Sequence, residues 1–140
     1  MGASDYLESK IINHLMRTDT WAKTTARWIS LHLESPYDDA TGIEVSGGAY
    51  ARSQLDADDA NWSEEGTPPY ETPGESKNLA PIVFPAPSGA DWGVVTATGV
   101  WDDPTAGNLL AFGNLVTPVE ILDGDSAPSF PTGAVTVRAK

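Results

Sequence analysis

The amino-acid sequence predicts a mainly β fold: an antiparallel β-sandwich or barrel with one N-terminal amphipathic α-helix and a long acidic loop. Three observations predict it. Short runs rich in Val, Ile, Thr and Trp recur along the chain, several with apolar residues at every second position. Turn-forming residues separate these runs, for the 140 residues include 13 glycines and 11 prolines. Helical spacing of apolar residues occurs at the start and nowhere else as clearly. Many short strands punctuated by Gly and Pro are the pattern of an antiparallel sandwich or barrel.

The elements follow in order. Ser4 suits an N-cap, and Asp5 and Glu8 in the next turn favour the positive end of a helix. Leu7, Ile11 and Leu15, flanked by Ile12 and Met16, form one apolar stripe, and Arg17 stands near the C-terminal end. Residues 5–17 therefore read as an amphipathic helix, too short to be stable alone. From Ala26 to Leu33 the period changes to two, with Ile29, Leu31 and Leu33 on one face and Trp28, Ser30 and His32 on the other. Residues 43–45 and 49–54 are short strands around Gly47-Gly48. Residues 82–84, between Pro81 and Pro85, read as a short or edge strand. Residues 92–101 are the best strand in the chain. Residues 102–108 make a turn, 109–115 return as its partner, and 118–122 and 134–138 complete the set around a turn at Asp123-Gly124-Asp125. The chain is expected to be a single domain over 1–140, with a helical arm at 1–20 and a β domain at 21–140.

Residues 53–80 stand apart as an irregular acidic loop, carrying Asp56, Asp58, Asp59, Glu64, Glu65, Glu71 and Glu75 among prolines and glycines. A long segment without periodicity inside a compact domain is commonly functional or disordered. Trp62 and Tyr70 are unusual in a disordered linker and read either as anchors for a neighbour or as packing on their own domain. With Leu7, Ile11 and Leu15 of the helix stripe, Trp62 and Tyr70 are the candidate partner-binding residues.

Composition excludes several classes. The net charge is −12 and no basic stripe exists, which disfavours binding to nucleic acid or to an anionic membrane surface. No bilayer-length apolar run or basic-apolar leader is present. There is no cysteine, so the chain makes no disulfide or thiolate metal site. The histidines, His14 and His32, stand beside no evident nucleophile or activating carboxylate, so no catalytic residue is assigned and the chain is read as a non-enzyme. Asp56-Ala57-Asp58-Asp59-Ala60-Asn61 departs from the EF-hand pattern, with Ala60 and Asn61 where a ligand and the required glycine would stand. A solvated acidic loop is the expectation there. Gly47-Gly48 suits a hairpin rather than a phosphate loop. No cofactor or metal is expected.

The segment Gly42-Ile43-Glu44-Val45-Ser46-Gly47-Gly48-Ala49-Tyr50-Ala51-Arg52 resembles a Gly-x-Glu-Val-Ser-Gly-Gly-x-Tyr-x-Arg element of small virion structural proteins of tailed bacteriophages, often labelled tail-fibre or hypothetical structural proteins. The helix from Tyr6 to Leu15, the strand Trp28-Ile29-Ser30-Leu31-His32-Leu33 with Ser35-Pro36, Phe84-Pro85, Trp92-Gly93-Val94-Val95-Thr96 and the hairpin from Asp102 to Gly113 are similar to further elements of that family, in the same order. The acidic loop is longer than the pattern. The resemblance implies a virion structural protein without catalytic residues. From it and the short acidic chain, the expectation is a capsid decoration (cement) protein, a homotrimer bound to the major capsid protein on the capsid exterior. A tail-fibre or baseplate component that contacts the host receptor or connects tail parts is the alternative.

Overall fold

A computed structural model describes residues 1–64 and 74–139. The fold is mainly β, with antiparallel sheets and a single N-terminal helix. Strand β1 (Gly2–Ala3) precedes helix α1 (Asp5–Met16), and nine further strands follow: β2 (Trp28–Glu34), β3 (Ile43–Glu44), β4 (Ser53–Gln54), β5 (Glu75–Lys77), β6 (Ile82–Val83), β7 (Gly93–Trp101), β8 (Leu109–Ile121), β9 (Ser129–Phe130) and β10 (Thr136–Arg138). The helix forms as its capping residues predict. Ser4 is extended and its Oγ accepts from Leu7 N at 3.3 Å, while Arg17 N closes the other end on Asn13 O.

The central sheet runs β1-β8-β7-β2-β3, with β4 lying beyond β3 along the same edge of β2. Backbone bonds carry the pairing past both ends. Leu55 N and Ala57 N donate to Arg27 O and Thr25 O, extending the β2–β4 pair. On the far side Arg138 N donates to Met1 O, which sets β10 beside β1, and β10 pairs with β5. Residues 61–63 then meet 77–79 through Ser63 N to Lys77 O and Leu79 N to Asn61 O. The strands thus curl round towards themselves, and the separate β6–β9 pair meets β4 where Ser53 Oγ donates to Val83 O.

The alternation read in β2 holds. Ile29 stands opposite Val100 and Leu31 opposite Thr98, and that face joins Ile82, Phe84, Leu55 and Val135 in the core. The β7–β8 hairpin is shaped by two aspartates. Asp102 accepts from Asn108 N and Nδ2, and Asp103 Oδ1 accepts from Thr105 N and Ala106 N.

Several boundaries differ from the sequence reading. Residues 109–115 and 118–122 were expected as separate strands, yet β8 is one strand of 13 residues. It bends where Val95 opposes Val119 and Ala97 opposes Asn114, so Thr96 faces four residues of β8 in a bulge that takes up Pro118. Residues 1–3 were assigned to a helical arm, but Gly2 and Ala3 are built into the sheet against Phe112 and Ala111. The strand expected at 49–54 shrinks to β4, because Gly47, Gly48 and Ala49 take successive positive φ and make a turn. The segment 53–80, read as one irregular loop, contains β4, β5 and a bridge from Trp62 to Asn78. Two or three paired residues carry no legible period, and β5 finds its partner 61 positions away, from Ser76 to Val137.

Candidate functional site

One surface and one buried centre bear on function. The surface is built by α1. The helix buries no residue completely, and Ile12, Leu15 and Met16 are 57%, 69% and 77% exposed. Leu7 reaches inward to an apolar groove of about 230 Å³, where Trp21, Trp62, Val100, Leu110 and Val137 form the walls. The structure therefore brings Leu7 and Trp62 to one groove. Ile11 is half-buried on the helix and Leu15 lies in the exposed apolar strip at its end. Trp62 packs partly against its own core, and its Nε1 donates to Leu55 O at 3.4 Å. Tyr70 lies outside the described residues. The sequence reading missed Trp21. Its backbone N–H donates to His14 Nδ1 at 3.4 Å, which turns the segment after α1 back along the helix. The available signal was a tryptophan in a polar stretch that had no strand pattern to explain it.

The buried centre explains the glycine-rich segment. Gly47, Gly48 and Ala49, all at positive φ, reverse the chain, and Trp92 Nε1 donates to Gly48 O at 2.8 Å. A Cβ at Gly48 would lie 2.4 Å from Ala90 O, and one at Gly42 would lie 1.9 Å from Ser35 O, so both positions require glycine. The reversal sets Glu44, Tyr50 and Arg52 side by side. Arg52 donates through Nε and Nη2 to the two oxygens of Glu44 at 2.8 and 2.7 Å, and Tyr50 Oη donates to Glu44 Oε1 at 2.9 Å. Tyr50 Oη also accepts from Leu31 N. Arg52 Nη1 reaches over to the carbonyls of Asp103 and Ala106, and its guanidinium stacks 4.0 Å from the Trp101 ring. This motif ties the β3–β4 connection to the β7–β8 turn. It is a structural clasp.

Beneath Trp101 the structure corrects the reading of His32, which was expected to stand beside no nucleophile. Ser30 Oγ lies 2.7 Å from His32 Nε2 and accepts from Trp101 Nε1 at 2.8 Å. The pair shares a strand face two residues apart, a juxtaposition that the β2 alternation itself contains. Ser30 is 0% and His32 2% exposed, so no substrate reaches them. Burial holds the imidazole neutral, with its pKa pushed down to about 4, and the nearby Glu44 carboxylate only partly opposes this. His32 Nδ1 is buried without a hydrogen-bond partner.

The acidic side chains have local work. Asp58 accepts from Ala60 N, Asn61 N and Asn61 Nδ2; Asp123 accepts from Gly89 N; Asp125 accepts from Leu122 N. Asp58 and Asp125 close their own turns, while Asp123 ties the loop at Gly89 to the turn after β8. Among the described residues, no group of three His, Asp or Glu is placed to hold a metal ion, and no helix is long and apolar enough to cross a membrane.

A family model described as Podophage GP4 fiber I protein gp80 matches residues 2–138. The chain belongs to this family. The match covers the helix, the clasp and every strand described above, so the resemblance to virion structural proteins read from the motifs extends through the whole domain. The family is one of phage fibre structural proteins, and its fibre designation favours the tail-fibre alternative over capsid decoration. No curated protein matches the chain.

Proposed function

We propose that this protein is a non-enzymatic unit of the phage tail fibre, where it connects fibre parts or contacts the host receptor. The observation that carries this reading is the fibre family model spanning residues 2–138. Two structural features support it. The Ser–His pair, the nearest approach to a catalytic constellation, is sealed inside the sheet. The helix end and the Leu7–Trp62 groove instead offer an apolar face suited to a neighbouring virion protein. The unit acts as a homo-oligomer, with a trimer as the expected stoichiometry.

Quantitative mass spectrometry of purified virions, with antibody labelling in electron micrographs, tests the location. The expected result is a few copies per particle, matching tail symmetry, with label on the tail. Copies on the scale of the major capsid protein, or label over the head, would overturn it in favour of decoration. For the helix face, deletion of residues 1–17 is the wrong probe, since it removes β1 and the Ser4 cap along with the helix. The double substitution Leu15→Asp, Met16→Asp leaves these intact and is expected to abolish incorporation into particles without loss of fold.

A further inference from the structure

Among the described residues, the free edge of the long strand β8 is covered only at one end. Gly2 and Ala3 pair with Phe112 and Ala111, and Ser4 N donates to Leu110 O at 2.9 Å. Leu110 and Phe112 therefore turn their backbone groups towards β1, and Asn114, next in that alternation, turns to the same side where β1 no longer runs. Beside this open stretch lies a groove of about 430 Å³, walled by Gly113, Leu115, Val119, Phe130 and Val135. Val116, on the bulged segment, stands out fully exposed at its rim. Among the described residues, the charged groups lining the groove are Arg138, paired with Glu75 at 2.8 Å, and the Met1 ammonium, which donates to Thr136 O, and no carboxylate lines it.

We propose that this groove and open edge form the surface on which a second copy of the chain docks. The Val116 side chain of one copy enters the groove of the next, and the contact repeats head to tail round the trimer. This deepens the self-association proposed above and rests on it. Three observations select a second copy as the occupant. A projecting valine and an apolar hollow lie in one patch, so each copy carries both halves of a repeating contact. Among the described residues the patch carries no carboxylate on a molecule of net charge −12, so two copies meet there without bringing negative charges together. The slot is continuous with the ladder in which β1 already sits, so an extended strand is what its backbone groups accept. Pro118 has no N–H to offer, which limits pairing to the stretch before it.

Sedimentation velocity on the full chain tests this, with Val116→Asp and, as a second variant on the same rim, Thr117→Arg; Ile43→Asp on β3, also exposed, is the reference. The expected result is an oligomer for the parent and for Ile43→Asp. Val116→Asp and Thr117→Arg are expected to sediment as monomers with unchanged circular dichroism. An oligomer that survives both rim substitutions would overturn the assignment of this surface while leaving self-association intact. A parent chain that is monomeric at all concentrations up to about 100-fold above that of the assay would overturn both, since dissociation constants span that range per 2.7 kcal/mol.

Discussion

Gly99 on β7 is packed between Ser30, Leu109 and Trp101. A Cβ there would lie 2.9 to 3.0 Å from Ser30 Oγ, Leu109 Cδ1 and Trp101 Nε1, none of which sits at the end of a long flexible chain. Gly99→Ala is therefore expected to lower stability by about 1–3 kcal/mol, the cost of overpacking a filled site. A reduced urea midpoint at unchanged m-value would show it. His32, on the neighbouring strand, makes stability depend on pH. Its folded pKa, about 4, lies below the ordinary 6.5, so the unfolded chain takes up a proton that the folded chain refuses. The stabilisation is fully present above about pH 6.5 and is lost as pH falls through about 4, with roughly 3 kcal/mol at stake over the window. Urea titrations at pH 7, 5.5 and 4.5 are expected to show this loss, and His32→Asn should remove the slope. Both residues were visible in the sequence as members of strands. Their common neighbour, Ser30, was not, because it depends on the β2–β7 register that sets Ser30 opposite Gly99.

At the scale of elements, α1 joins local and tertiary determinants. Its boundaries were legible from Ser4, Asp5 and Glu8 and from the spacing of Leu7, Ile11 and Leu15, because capping and amphipathicity are local effects. Ser4 does more than cap. It is completely buried, its backbone N–H bonds Leu110 O, and its hydroxyl donates to Leu109 O while accepting from Leu7 N. Ser4→Ala is expected to cost about 1–2 kcal/mol, at the upper end for a cap because a buried carbonyl also loses its donor. Thermal unfolding would register this, and an effect below about 0.5 kcal/mol would mean that water replaces the hydroxyl. The strands β4, β5 and β9 show the opposite limit. Each has two or three residues, and its pairing is decided by distant partners such as Arg138 for Glu75 and Phe130 for Ile82. The bulge that keeps β8 continuous past Pro118 likewise depends on β7, so the proline looked like a break when only its own strand was considered.

The whole molecule combines strong negative charge with apolar patches that avoid it. Asp58, Asp103 and Asp125 close turns, so the acidity is partly architectural, and it still leaves free copies repelling one another. Self-association through the β8 groove is therefore expected to strengthen with salt. Between about 0.01 M and about 0.15 M the screening length falls from about 30 Å to about 8 Å. Sedimentation across that range should show the oligomer growing. Weakening with salt would mean that ion pairs, rather than the apolar rim, hold the copies together. The α1 face and the β8 groove lie on separate elements, which allows a fibre unit to bind its own copies and a neighbouring protein with different surfaces.

The sequence by itself determined the β class, the single helix with its cap, the core face of β2, the turn at 102–108 and the absence of a disulfide framework. These depend on spacing, composition and local backbone preference, which act within a few residues of one another. The tertiary structure alone decided that residues 1–4 are sewn into the sheet, that Glu44, Tyr50 and Arg52 form a clasp over Trp101, and that Leu7 meets Trp62 across a groove. It also decided that one edge of β8 is left open. Those outcomes require residues tens of positions apart to be brought into register, and only the closed set of backbone pairings, with the packing it imposes, selects that register.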